Sequence, residues 1–232
     1  MLGLGASLSA GAPPGDPSLL EIGNISLWLK NDTAVTAAAW RDNSGLGKDA
    51  SQATSGNQAT VQQGGLEFDG SDDHYDLANN GVQLSENEGF TIFVAVQPDN
   101  VSTKTVLSVG NTTGFMEFLT AKKFRLRFDN DTAIGWTSDT SVFAVDTKYL
   151  LTVEREAGEV GQINIYVNGE LLTPTSQVGD AGPGTFDTLS ERNSDRYFDG
   201  HIFELLVYDG GNLTDGEKAI VHADIMNRLS IS

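Results

Sequence analysis

Cysteine is absent from the 232-residue sequence. No disulfide or thiolate metal site therefore contributes to the fold, and cysteine usage says nothing about redox compartment. Basic residues are scarce: 14 Lys and Arg stand against 32 Asp and Glu, a formal net charge of −18. A surface of that sign repels phosphate backbones and excludes nucleic acid as a partner. The acidity reads as a solubility device, with divalent-cation binding as the sharper alternative. No apolar run approaches the 18 residues a membrane-spanning helix requires, so no membrane segment is expected. The start, MLGLGASLSAGAPPGDPSLLEIG, lacks a charged n-region, since its first basic residue is Lys30, and glycines interrupt its apolar run. A secretion signal is therefore not expected. Without a secretory route, the Asn-x-Ser/Thr triplets at Asn24, Asn31, Asn100, Asn111, Asn130 and Asn212 read as turns. Gly-x-Ser-x-Gly, His-Glu-x-x-His and a glycine-rich phosphate loop are missing too. His74, His201 and His222 thus lack a companion motif that would make any of them a catalytic base, and His74 and His222 read as solvated or capping side chains.

What is present is the vocabulary of short strands and turns. There are 26 glycines, and Ser, Thr, Asn and Asp are frequent. Residues 1–23 form an expected N-terminal arm of Gly, Ser, Ala and Pro, with Leu2, Leu4, Leu8, Leu19 and Leu20 available to bury against a neighbour. The domain proper is expected over 24–232. ISLWLK (25–30) alternates, and FTIFVAVQ (90–97) is apolar on both faces, as in a central strand. KTVLSVG, GFMEFLT, KFRLRFD, YLLTVERE, QINIYVNGELLTPT and RYFDGHIFELLVYD continue the series. Asn168-Gly169 between two alternating runs predicts a type I′ hairpin. One helix closes the chain, with Thr214 and Glu217 as a capping box and Val221, Ile225 and Leu229 on one stripe. Ten or more strands with one terminal helix, and no long internal repeat, predict an all-β fold: a two-sheet antiparallel sandwich.

Four stretches in order resemble a known family. SLWLKNDTAVTAAAWRDNSGLGKDA, with Trp40, Asp42, Ser44 and Gly45, is similar to the opening of laminin-G-like, concanavalin A-like domains. LEFDGSDDHYDL, IYVNGEL and YFDGHIFELLVYDGGNLTDGEKAIVHADIMNRL resemble the family's later strand, hairpin and closing segment. The resemblance spans about residues 24–230 and implies a lectin-type jelly roll. It leaves function open, because such folds host lectins, glucanases, adhesion modules and structural parts. The MLGLGASLSAG start is similar to virion structural proteins of tailed phages from marine bacteria.

The acidic stretch 64–76, with Glu67, Asp69, Asp72, Asp73 and Asp76, approaches a glycosidase Glu-x-Asp-x-x-Glu run but carries Asp72 where that run has Glu. Gly70 and Ser71 turn the chain first, so catalysis is not expected there. Asp72 and Asp73 are instead candidate calcium ligands, competing with an Asx-turn. Glu204, mid-strand, is expected to be satisfied inside the sandwich by Trp, Tyr or backbone donors. Trp28 and Tyr208 read as core, while Trp40 is placed at a turn. Trp136, in AIGWTSD, is the candidate for stacking on a sugar.

These readings lead to a non-enzymatic virion structural protein of a tailed phage, a capsid decoration or fibre-like subunit with a lectin-like outer domain. It would assemble through its arm with other virion proteins or copies of itself, as an oligomer in a larger particle made in the host cytoplasm. The alternative is a carbohydrate-binding or adhesion module that meets glycans through its loops, at the cell surface or outside the cell.

Overall fold

A computed structural model describes residues 16–109, 114–120, 122–127, 135–138, 141–158, 162–177 and 183–232. Two antiparallel sheets face each other, as expected. The first runs in the order Glu170–Leu171, Ile163–Val167, Tyr149–Arg155, Phe90–Pro98, Asp199–Asp209, Gly65–Asp69, Thr60–Gln62, and Ile25–Leu29 also joins Asp199–Asp209. The second runs Pro174–Gln177, Gly135–Ser138, Lys123–Arg127, Phe115–Leu119, Lys104–Ser108, Thr188–Leu189, Tyr75–Leu77, Ala50–Ser51, Ala39–Trp40. We call them the helix-side sheet and the open sheet. Asn168 and Gly169 both take positive φ, 51° and 84°, and close the expected hairpin between Ile163–Val167 and Glu170–Leu171.

Two apolar layers result. Between the sheets lie Leu27, Leu66, Phe68, Ile92, Val94, Met116, Phe118, Phe124, Ile202 and Leu205, among others. On the far side of the helix-side sheet, Trp28, Phe93, Phe203, Leu206 and Tyr208 pack against Val221, Ile225 and Leu229 of the helix Asp215–Leu229. The central strands are apolar on both faces because both faces are covered. The helix begins at a complete capping box between Thr214 and Glu217, which contributes about 1 kcal/mol.

Strand Asp199–Asp209 organises the helix-side sheet. Its first half pairs with Gly65–Asp69 and its second half with Ile25–Leu29. The register against Phe90–Pro98 shifts between Ile202 and Glu204. At this bulge Phe203 and Glu204 together oppose Ala95, so strict alternation fails. Glu204 turns to the helix side rather than into the layer between the sheets.

The N-terminal segment also differs from the expected free arm. Asp16–Glu21 is a 3-10 turn, and Leu19 and Ile22 are buried in the helix-side layer. Tyr208 Oη donates to the Leu19 carbonyl at 3.2 Å. Leu19 therefore belongs to the domain, whereas Leu20 is exposed. Leu2, Leu4 and Leu8 lie outside the described residues. Trp40, placed at a turn by its sequence, is wholly buried and donates Nε1–H to the Lys30 carbonyl at 3.0 Å.

Candidate ligand-binding face

The outer face of the open sheet carries an arrangement that strand alternation dictates. In Lys123–Arg127, Phe124 and Leu126 enter the core, so Lys123, Arg125 and Arg127 point outward. The neighbouring strand places Glu117 directly opposite Arg125, and Phe115 opposite Arg127. A loop then crosses this face. It is held by Ser190 N–H to the Val106 carbonyl (3.0 Å) and by Thr105 N–H to the Arg196 carbonyl (3.1 Å), with positive φ at Ser190, Asn193 and Ser194. It adds Arg192 and Arg196. Five of the chain's 14 basic residues thus gather on one face of an acidic protein.

Glu117 is fully buried at the centre. It accepts from Arg125, from Arg192 Nη1 at 2.8 Å and from Arg196 Nη1 at 3.4 Å. Phe115 lies beneath the guanidinium groups of Arg192 (3.5 Å to the ring centroid) and Arg125 (4.9 Å), a cation–π arrangement that fixes both planes. Three cations meet one carboxylate. Burial holds the Arg192 pKa below its ordinary value, Glu117 opposes that shift, and the charges of Arg196 and Arg125 reinforce it. The Nε atoms of Arg125, Arg127 and Arg192 are buried and make no hydrogen bond. Buried donors left unpaired are costly. An incoming carboxylate or sulfate would meet the accessible parts of Arg125 and Arg196 and offset the positive charge.

The expected sites fare differently. Trp136 lies in Gly135–Ser138, opposite Leu126 and Gln177 along the backbone, but its side chain lies outside the described residues. Oxygens of Asp69, Asp72 and Asp73 come within 4.8 Å of one another. The turn itself uses them: Asp69 Oδ1 accepts from Ser71 N–H (2.8 Å), and Asp73 Oδ2 accepts from Asp69 N–H (3.1 Å). This is an Asx-turn braced by carboxylates. Glu67 sits on the strand and Asp72 beyond it, so the near-glycosidase run forms no opposed pair on one strand.

Glu204 is satisfied more fully than its sequence indicates. It accepts from Trp28 Nε1–H (2.9 Å) and from Arg228 Nη1 and Nη2 (2.9 Å each), and Asn31 N–H approaches at 3.4 Å. His222 is neither solvated nor a cap. It packs edge-on to Phe93 and lies 2.8 Å from Thr152 Oγ1, and burial followed by the charge of Lys218 lowers its pKa. The arginine face was missed because two elements 65 residues apart build it. Its one local trace is KFRLR, with three cations at alternate positions in an acidic chain.

The family described as the concanavalin A-like lectin/glucanases superfamily, Laminin_G_3, matches residues 69–217. The chain belongs to that superfamily. No curated protein gives a significant match. Among solved structures, Trypanosoma rangeli sialidase in complex with sialic acid is similar at TM-score 0.61 and 16% identity, over 90% of this chain and 34% of the sialidase. Botulinum neurotoxin serotype D ligand binding domain in complex with N-acetylneuraminic acid is similar at TM-score 0.62 and 15% identity, over 91% of this chain and 53% of that one. The chain thus spans about a third to a half of these proteins. They share its jelly-roll fold, which is lectin-like.

Proposed function

We propose that this superfamily member is a non-catalytic, lectin-like module that binds acidic sugars through its arginine face. The observation that carries the reading is the meeting of Arg125, Arg192 and Arg196 on the single buried carboxylate of Glu117, over the Phe115 ring. A planar guanidinium fork suits a sugar carboxylate or sulfate, and an aromatic ring among the cations gives the patch an apolar floor. The two similar structures hold sialic acid and N-acetylneuraminic acid, both acidic sugars, which supports the same class. A glycan array should show binding to sialylated, uronate-bearing or sulfated glycans, lost in Arg127→Gln. Retention confined to neutral glycans, or full binding by Arg127→Gln, would remove this reading.

A virion role is compatible and has its own support. Leu19 and Ile22 anchor the N-terminal segment on the helix side, the face opposite the arginines. A tether made by residues 1–15 would direct the arginine face outward from a particle, as expected of a decoration or fibre-like subunit of a tailed phage. Deleting residues 1–15 should leave the melting temperature unchanged while abolishing incorporation into particles. Normal incorporation of the truncated chain refutes the tether.

A further inference from the structure

A second cluster lies on the other side of the molecule, where the helix leaves the outer face of the helix-side sheet uncovered. His201 stands opposite Gln97 on one neighbouring strand and opposite Glu67 on the other. Gly200 makes this close approach possible: at φ 132°, a Cβ there would meet the Gln97 carbonyl at 2.2 Å. Asp99 follows the end of Phe90–Pro98, its N–H bonded to the Asp199 carbonyl at 2.8 Å. One donor atom each from Glu67, Asp99 and His201 lies within 4.8 Å of the others.

The imidazole is the informative member. His201 is 96% buried, at 4% exposure, and neither ring nitrogen makes a hydrogen bond. Its plane is fixed by stacking on Phe203, 5.3 Å between centroids at 4°. Nε2 faces Glu67 Oε2 at 3.8 Å. That gap is too long for a hydrogen bond. It is close to the about 3.4 Å that separates two ligands of one tetrahedral ion with bonds near 2.1 Å. Glu67 is itself oriented by a hydrogen bond from Gln62, as supporting groups orient metal ligands elsewhere. The carboxylates of Asp146 and Asp199 act on Asp99 from nearby. Lys148, over the same Phe203 ring at 4.6 Å, is engaged elsewhere, donating to the Leu229 carbonyl at 3.2 Å. Two carboxylates thus lie beside one unbonded imidazole, with Asp99 exposed and two further carboxylates near it.

We propose that Glu67, Asp99 and His201 bind a divalent transition-metal ion of the zinc type, with water completing the coordination. Mixed nitrogen and carboxylate donors select such an ion over calcium, which takes an all-oxygen shell. The site joins the ends of three strands, so the bound ion ties Gly65–Asp69, Phe90–Pro98 and Asp199–Asp209 together where the helix does not.

The test is titration of Zn²⁺ into the full chain, stripped beforehand with chelator, followed by calorimetry and melting temperature. One saturable ion per chain is expected, with a melting temperature raised by zinc and returned by chelator. His201→Gln and Asp99→Asn should each weaken binding at least 10-fold, whereas Asp72→Asn, in the neighbouring turn, should not change it. Should His201→Gln fail to fold, Asp99→Asn at the exposed corner still decides, together with a zinc-dependent shift of the His201 imidazole resonances in the wild type. Absence of saturable binding, or undiminished binding in Asp99→Asn, overturns the proposal.

Discussion

Glu204 and Glu117 are both fully buried glutamates in mid-strand, and their surroundings differ in charge balance. Around Glu204, one guanidinium meets two carboxylates, since Arg228 also binds Asp224 at 2.8 Å. An indole N–H completes the set. That group is closed to anions: its acceptors exceed its donors, with Asp224 Oδ1 left unpaired, and it fastens the helix to the long strand. Around Glu117, three guanidiniums meet one buried carboxylate, the Nε donors of Arg125 and Arg192 remain unpaired, and only Arg196 has a second carboxylate, Asp195, at 3.8 Å. That group is open, since its cations outnumber its buried carboxylates. Burial of a carboxylate therefore identifies neither a brace nor a binding site; the count of donors against acceptors separates them.

The largest effect should come from opening the closed group. Arg228→Ala leaves Glu204 and Asp224 facing each other without a cation, and urea unfolding should register a loss of about 3 kcal/mol. Glu117→Gln should cost less, about 2 kcal/mol, because Arg125 and Arg196 are partly solvated and screened. Added sulfate should recover more stability in Glu117→Gln than in Arg228→Ala; equal recovery would erase the distinction between open and closed. His222 tests the helix side by pH. Its folded pKa lies below the unfolded 6.5, so the unfolded chain takes up the proton first. Stability should be full above pH 6.5 and decline as pH falls below it, and His222→Gln should flatten that part of the profile. Arg127→Gln is the mildest. Its stability should stay within about 0.5 kcal/mol of wild type, while affinity for an acidic glycan falls about 10-fold by calorimetry.

The sequence carried the architecture wherever a periodic signal was long enough. Phe90–Pro98, the Asn168-Gly169 hairpin and the Thr214 capping box are local rules obeyed locally. Strands of two residues, such as Ala39–Trp40 and Ala50–Ser51, are too short for alternation to register, and so Trp40 read as a turn residue. One inserted residue at Phe203 reversed the side to which Glu204 points, and no composition signal marks a bulge. Both candidate sites were illegible for a different reason. Each gathers side chains from elements distant in sequence, and the packing that brings Glu67 to His201, or Glu117 to Arg192, is a property of the folded sheets.

The pairing of Ile25–Leu29 with residues 205–208 has a consequence for folding. Trp28 finds its partner Glu204 only 176 residues later, and the helix that covers both comes later still. Apart from its bridge to Asp42, the opening strand must await residues 205–208 for its sheet partner, a long-range pairing that is slow to form. Closure of the domain thus joins its first strand, its long last strand and its terminal helix, elements from opposite ends of the described residues.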